Sequence, residues 1–276
     1  MLQIRIGRAD TTGTVDNHTM AAAAAALNVQ VTRDLPKFWN IDASVEYLPD
    51  PHSIPQGVWP VFIVKELPEG EGGFHTTQHN QPYAKVIGTP GSDEWTVYAS
   101  HETIEMLVDP NGNRLQTATA IQITDDKIVD GVGKFEYLVE ACDPCEADAS
   151  TYTINGIRVS DFITPDFYNP NPSTAVQYSF NGTLTKPRQI LPGGYISFVN
   201  PRSNEMQQIL WLDPKPELRS LGPPPSGSSL RAFVDGKTRA LSHKHMHGPS
   251  KKTAAARHAY RESLEAAARI RAKHYV

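Results

Sequence analysis

Runs of alternating and clustered apolar residues predict that the first half of the chain contains strands on either side of one long helix. The helix begins at Asp16 or Asn17, whose side chains can cap it, and runs through an alanine-rich stretch to about Asp34, before Pro36. The run at 58–64, VWPVFIV, is almost entirely apolar, which is typical of a central strand. The strands predicted in this half cover residues 2–8, 42–48, 58–64, 74–77 and 83–87.

Shorter apolar runs, separated by Gly, Pro and Asn, fill the second half of the chain and predict a β-rich region. Asn155-Gly156 marks a hairpin turn within residues 152–162, and residues 161–172 have the Pro and Asn content of a loop. The strands predicted here cover residues 115–124, 127–132, 177–184 and 195–200. Together the two halves predict an α+β fold with a mixed, twisted sheet.

Composition and charge divide the chain into three predicted parts. A body at 1–214 is followed by a linker at 215–249, which contains the sequence LGPPPSGSS, and by a basic helix at 250–276. The net charge of −4 is uneven, because residues 215–276 carry 13 Lys and Arg against 4 Asp and Glu. This basic segment predicts docking onto an acidic surface, either of this chain's own body or of a larger assembly. Nucleic acid is the less favoured partner, because no DNA-binding pattern is present.

One stretch, WTVYASHETIEMLVDPNGN at 95–113, predicts a helix that carries a metal-site pattern and ends at its Asp-Pro-Asn-Gly run. His101 and Glu105 are four residues apart and therefore share one helix face, with Glu102 beside them. This is the geometry of the HExxH helix with a glutamate at the second ligand position, where a carboxylate can also bind zinc. The alternative is an amphipathic helix whose glutamates are only solvated.

A catalytic zinc site needs about three protein ligands and an open position for water. The acidic stretch FEYLVEACDPCEAD at 135–148 supplies Glu140 as a candidate third ligand and Asp143 as a residue that would hydrogen-bond a ligand histidine. Asp109, at the end of the helix, is an alternative third ligand. With Glu102 as the base, this set predicts attack of metal-bound water on a peptide carbonyl.

Several other residues are weaker candidates, each with a simpler explanation. Two histidines before the helix and two tyrosines after it could line a cleft, although such residues are more often exposed or structural. The two cysteines have the spacing of a redox pair, but ordinary buried thiols are favoured and no disulfide framework is indicated. The histidine-rich run at 243–247 could bind metal adventitiously. These candidates are His75, His79, Tyr152, Tyr168, Cys142, Cys145, His243, His245 and His247.

Three stretches, SHETIEMLVDPNGN, YLVEACDPCEAD and GIRVSDFITPDFY, follow one another along the chain. In this order they resemble a group of bacterial and phage-borne proteins, in which an SHExxExxxDP helix precedes an ExxD segment and a VSDF segment. That group is distantly similar to zinc metallopeptidases. The resemblance covers residues 27–200. It implies a zincin-like body, a metal at His101 and Glu105, and a role for Glu140 and Asp143.

Two functions of different classes follow from these patterns. The first is a metal-dependent hydrolase, peptidase-like, that uses zinc or another divalent ion such as Mn²⁺ or Ca²⁺ and acts on a peptide or protein. The second is a structural protein, for example of a virion, that keeps a peptidase-like body without turnover and docks through residues 221–276. The chain has no long apolar segment at its start or elsewhere, so we expect no signal peptide, no membrane span and synthesis in the cytoplasm.

Overall fold

The computed structural model describes residues 4–67, 72–89, 92–212, 214–227 and 229–242, and these form a mixed α+β structure in which strands dominate. The strands are β1 (Ile4–Asp10), β2 (Ala43–Tyr47), β3 (Val58–Val64), β4 (Gly73–Gln78), β5 (Gln81–Ile87), β6 (Leu115–Thr124), β7 (Lys127–Leu138), β8 (Tyr152–Ile154), β9 (Ile157–Val159), β10 (Tyr195–Asn200), β11 (Glu205–Leu212) and β12 (Lys215–Gly222). The helices are α1 (Asn17–Val29), α2 (Glu94–Val108) and α3 (Leu230–Ser242). None of the described helices is long and apolar enough to span a lipid bilayer.

The first sheet has the strand order β2-β1-β3-β5-β4, in which β4 is antiparallel to β5 and the other neighbours are parallel. The central position predicted for β3 is confirmed. Inward-facing Ile6, Ile63 and Val86 share one hydrophobic core with Met20 of α1 and Ala99 of α2. Both helices therefore pack on this sheet, and α2 lies against β4 and β5.

α1 begins where its capping residue predicts. The Asp16 carboxylate accepts the backbone N–H of Thr19 at 2.9 Å, which satisfies one of the free donors of the first turn. After Val29 the helix continues as a π-helical turn at Gln30–Asp34 and a 3-10 turn at Leu35–Lys37. The predicted helical stretch is thus confirmed to about Asp34, although its last part is not α-helical.

The second sheet is antiparallel, with the order β12-β11-β10-β7-β6, and the hairpin β8-β9 is a separate two-stranded sheet that contacts α1 and α2. Phe135 of β7 stacks on Phe198 of β10 with ring centroids 4.4 Å apart. The hairpin turns at the predicted Asn155-Gly156, whose φ angles of 51° and 84° suit those residues. Residues of this sheet join the same core as the first sheet.

The strand predicted at 177–184 is wrong. This segment is a loop with one isolated bridge between Ser179 and Ile163. The Ser179 hydroxyl accepts the backbone N–H groups of Thr183 and Leu184, and Gly182 has a φ of 72°, so a local turn replaces strand pairing. The strand predicted at 127–132 is longer than expected, because β7 continues to Leu138.

The predicted linker at 215–249 contains two regular elements. Residues 215–222 form β12, which pairs with β11 along its length, and residues 230–242 form α3. The low apolar content of these residues concealed both elements, since β12 is a half-exposed edge strand. One compact unit, Met1–Ala240, includes β12 and nearly all of α3. The helix predicted at 250–276 lies outside the described residues.

Candidate metal centre

α2 turns its charged residues toward the protein interior. His101, Glu102 and Glu105 are 6%, 3% and 0% exposed. The helix lies against the first sheet on one side, and the segment that follows β7 covers it, since Cys142 donates its backbone N–H to Glu105. A solvated helix face, the simpler explanation left open by the sequence, is therefore wrong for these three residues.

His101 and Glu105 meet as their four-residue spacing predicts. His101 Nε2 lies 3.2 Å from Glu105 Oε2 and 3.2 Å from Asp143 Oδ1. The other oxygen of Glu105, Oε1, accepts the N–H of Cys142 at 3.0 Å. Glu105 is thus held in one orientation, with Oε2 directed at the histidine.

The segment after β7 brings Glu140 and Asp143 to the same place. Val139 still continues the pairing of β7, donating its N–H to the carbonyl of Arg114 at 2.9 Å. The chain then closes a 3-10 turn at Asp143–Cys145, against which Gly194 packs. A Cβ at Gly194 would lie 2.6 Å from the Asp143 carbonyl oxygen, so only glycine permits this approach.

Asp109 lies at the end of α2 but is committed to the turn that ends the helix. Its two carboxylate oxygens accept the backbone N–H groups of Asn113 at 3.0 Å and Arg114 at 2.8 Å. Among the described residues, Asp109 belongs to none of the ion pairs and to none of the candidate ligand groups. Of the three alternatives for a third ligand, the structure brings Glu140 and Asp143 to His101 and Glu105, and gives Asp109 a capping role.

His75 of β4 joins the cluster from the first sheet. Its Nδ1 lies 3.3 Å from Glu102 Oε2 and 3.8 Å from Glu105 Oε2, and its Nε2 lies 4.0 Å from Glu140 Oε2. β4 can approach α2 this closely because Gly73 faces Glu102, where a Cβ would lie 2.8 Å from Glu102 Cγ. The side chain of Glu102, the predicted base, therefore lies in the narrow space between α2 and β4, the edge strand of the first sheet.

Arg231 of α3 inserts its guanidinium among the carboxylates. Nη1 lies 2.8 Å from Glu140 Oε2, 3.1 Å from Glu105 Oε2 and 3.4 Å from Asp143 Oδ2. Nε donates to Asp235 at 2.9 Å, which orients the planar group from within the same helix. The sequence did not predict this residue, because its contacts lie 88 to 126 positions away along the chain.

The cluster contains three groups of side chains whose ligand atoms lie within 4.8 Å of one another. Glu105 belongs to all three groups. The cluster also holds two polar atoms that are buried and lack a hydrogen-bond partner within the described ranges, His75 Nε2 and Glu140 Oε1, whereas Asp143 Oδ1 has its ion-pair contact with His101. Buried atoms of this kind ordinarily have a partner, so they are consistent with a cation that the protein chain itself does not supply. The three groups are His101 with Glu105 and Cys142; His75 with Glu102 and Glu105; and Glu105 with Glu140 and Asp143.

Burial and nearby charge shift the pKa values of the cluster's carboxyl groups in opposite directions. Burial alone would raise the pKa of Glu105, but the positive charges of His101 and Arg231 outweigh it and hold that pKa well below its usual value. Burial raises the pKa of Glu140 well above its usual value against the opposing charge of Arg231, and it raises the pKa of Asp143 to about 6. His101 and Arg231 thus neutralise only part of the negative charge that the carboxylates of the cluster can carry.

The remaining candidates lie in other roles. Cys142 and Cys145 are free and buried, and burial raises the pKa of both thiols well above the usual value, which disfavours redox exchange. His79 is exposed in the β4–β5 turn, and the Tyr152 hydroxyl contacts Asp34 at 3.2 Å. Tyr168 lines a separate cavity of about 190 Å³ with Trp39 and Arg114. The histidines at 243–247 lie outside the described residues.

Comparison of the chain with protein-family models, with curated proteins and with solved structures returned no match. A functional interpretation therefore depends on the geometry of the buried cluster. That cluster joins five predicted site residues, His101, Glu102, Glu105, Glu140 and Asp143, to two others, the weaker candidate His75 and the unpredicted Arg231.

Proposed function

We propose that this protein is a metal-dependent hydrolase of peptidase type, with the metal held by His101, Glu105 and Glu140. The observation that carries the proposal is the convergence of imidazole and carboxylate groups from α2, β4 and the segment after β7, together with partnerless buried ligand atoms among them. A cluster that only stabilised the fold would be expected to satisfy those atoms within the chain.

The donor set fits a divalent ion of intermediate hardness. Histidine nitrogen with carboxylate oxygens is a common set for zinc, and the high share of carboxylates also suits Mn²⁺. Asp143 approaches His101 at the same Nε2 that would bind the metal, to 3.2 Å, so it fits an additional ligand better than a residue that orients His101 through the other ring nitrogen. When bound, the metal would supply Lewis acidity and lower the pKa of a water molecule.

The surroundings of Glu102 support its role as the proton-accepting base. It stands one residue after His101 on α2 and is held by His75 Nδ1 at 3.3 Å. β4, beside it, is the edge strand of the first sheet, so its outer backbone groups can pair with an extended peptide. This combination of helix, edge strand and base is the reason for proposing a zincin-like body and a peptide substrate.

Arg231 favours a second candidate function, that of a structural or assembly protein. Its guanidinium already gives the carboxylates a positive partner within the chain. In that case the cluster would be a buried ionic network of a peptidase-like body without turnover, and residues beyond α3 would serve assembly.

The two candidates differ in metal content and in the effect of Glu102. Protein stripped with a chelator and dialysed against excess zinc, or separately manganese, should retain a single ion per chain by elemental analysis. His101→Ala should lose that ion. Glu102→Gln should keep the ion yet lose cleavage of casein peptides followed by mass spectrometry, because the amide cannot accept the proton.

The matched control replaces His243, His245 and His247 together with alanine, because this run could bind metal adventitiously. That variant should keep the ion of the wild type. Equal metal content in wild type and His101→Ala would exclude the site, and unchanged cleavage by Glu102→Gln would exclude the base. An ion bound without any cleavage would favour the structural candidate.

A further inference from the structure

α3 begins on the loop that ends α2 and is fixed there by main-chain contacts. The N–H of Leu230 donates to Asn113 Oδ1 at 2.8 Å, and the N–H of Arg231 donates to the carbonyl of Gly112 at 3.0 Å. Gly112 has a φ of 62°, and a Cβ there would lie 2.7 Å from Arg231 Cβ. The two segments thus approach so closely that the first turn of α3 is placed over the cluster.

Arg231 enters the cluster at the position that a metal would need. Its Nη1 contacts Glu105, Glu140 and Asp143, which are the three members of one candidate metal group. Two cations cannot share these oxygens at such distances, because their mutual repulsion in a buried site is large. Arg231 and a metal held by these carboxylates are therefore alternatives.

The apolar anchor of α3 is small compared with the main core. Among the described side chains of α3, Val234 is the buried apolar one, and it packs on Leu138, Met206 and Leu221, with Leu230 and Phe233 partly buried beside it. The chain reaches α3 from β12 through exposed or half-exposed residues of the Pro-rich segment 223–227. Besides this small apolar cluster, the described contacts that hold α3 are its hydrogen bonds to the α2 loop and the ion pairs of Arg231, so a cation that replaces Arg231 at the carboxylates lowers the free-energy cost of detaching the helix.

We propose that α3 is an internal inhibitor of the metal centre, with the Arg231 guanidinium occupying the cation position in the closed form. Metal binding then requires the guanidinium to leave, and release of α3 uncovers the carboxylates. By linkage, whatever displaces α3 strengthens metal binding, and metal binding favours displacement of α3. This inference rests on the proposed function, since it assigns a regulation to the same site.

The test measures zinc affinity by titration calorimetry of the chelator-stripped, full-length chain, in the background that lacks the three histidines at 243–247. Arg231→Gln removes the competing charge and should bind zinc at least about tenfold more tightly than the wild type, within the usual range of coupling between sites. Lys237→Gln makes the same charge change on an exposed position of α3 and should leave the affinity unchanged.

A second variant, Val234→Ala, tests the same inference independently in case Arg231→Gln does not fold. Val234→Ala weakens the anchor of α3 but leaves every charged group of the cluster in place, so it should also bind zinc more tightly, by several-fold. Circular dichroism with and without zinc would show in addition that zinc raises the Tm of Arg231→Gln more than that of the wild type.

The outcomes separate this inference from the proposed function. Zinc bound by all variants with the same affinity would overturn the inhibitory role of α3 and leave the metal site intact. Zinc bound by none of them would overturn both proposals. Tighter binding by Lys237→Gln as well as Arg231→Gln would also overturn the inference, because a general charge effect would then explain the result.

Discussion

Two of the three arginines that are buried in the described part of the chain, Arg8 and Arg231, have opposite surroundings. Arg8 of β1 is fully buried with its guanidinium 5.1 Å from the ring centre of Trp95, and its three side-chain nitrogens lack hydrogen-bond partners among the described residues. Arg231 is almost as deeply buried, at 5% exposure, but contacts several carboxylates. Burial lowers the pKa of Arg8 to about 9. Burial alone would lower the pKa of Arg231 as well, but its acidic neighbours, Asp235 and Glu140 foremost, raise it well above the usual value.

The difference shows that the carboxylates of the cluster stabilise the charged form of a buried cation. Burial alone disfavours a guanidinium, and only a strong local excess of negative charge reverses the effect. The surroundings of Arg231 therefore have the property that a metal site requires, whereas those of Arg8 do not. The difference between Arg8 and Arg231 can be tested in two ways, by removing a carboxylate that surrounds Arg231 or by replacing each arginine.

The largest effect is expected for Glu105→Ala. This change leaves Arg231 and His101 without their shared carboxylate and removes the acceptor of the Cys142 N–H. The free energy of unfolding in urea should fall by about 3–5 kcal/mol, the usual cost of breaking a buried ion pair. The control is Glu46→Ala, which breaks an exposed pair with Arg5 and should cost less than about 1 kcal/mol. Equal losses in the free energy of unfolding of the two variants would mean that the ion pairs of the cluster stabilise the fold no more than an exposed ion pair does.

The two arginines themselves should differ when each is replaced by methionine. In the presence of a chelator, Arg231→Met should lose about 3 kcal/mol or more of stability, because carboxylates are left without a counter-charge. Arg8→Met should be neutral or stabilising, because it removes a buried charge that contacts the Trp95 ring and has no hydrogen-bond partner among the described residues. Urea unfolding curves give both values, and a comparable loss for Arg8→Met would contradict the difference between the two arginines.

A smaller effect is expected for Gly73→Ala. The added Cβ would lie 2.8 Å from Glu102 Oε1 and 3.0 Å from Val86 Cγ1, so Glu102 or β4 must shift. We expect a loss of about 1–3 kcal/mol, typical of overpacking, and a larger relative loss of hydrolysis than of metal content. Gly131→Ala in β7 is the control, since its Cβ would meet Ala120 at an ordinary 3.5 Å. Equal stability of both variants would show that Glu102 is not confined by β4.

The smallest effect is expected for Asp109→Asn. Because Asp109 accepts two backbone N–H groups and takes no part in the described ion pairs, the change should cost about 1 kcal/mol and leave metal content unchanged. Glu140→Gln, by contrast, should reduce metal content while keeping the size of the side chain. Elemental analysis of the two variants compares them directly, and loss of metal in Asp109→Asn would make that residue the third ligand.

The local parts of the site could be predicted from the sequence. The pairing of His101 with Glu105 follows from helix geometry, and the turn after Val108 from the Asp-Pro-Asn-Gly run. The apolar run of β3 likewise predicted the centre of the first sheet. Each of these features is determined by residues close together in the sequence, so the local sequence pattern predicts it.

The non-local parts could not be predicted. Arg231 lies in a stretch whose composition indicated a basic, solvated linker, and nothing near it distinguishes it from the other basic residues there. Its position is set by contacts with the loop that ends α2 and with the core of the second sheet. His75 similarly became part of the cluster only because β4 returns as the antiparallel edge of a parallel sheet.

The central claim is that the cluster binds a divalent cation at the position of the Arg231 guanidinium. The most direct test is anomalous diffraction at the zinc edge from crystals of the full-length Arg231→Gln protein grown with zinc. We predict a peak about 2.0–2.2 Å from His101 Nε2 and from an oxygen each of Glu105 and Glu140, the usual zinc–ligand distances. An ordered cluster without such a peak, or zinc bound only at the histidines of 243–247, would contradict the claim.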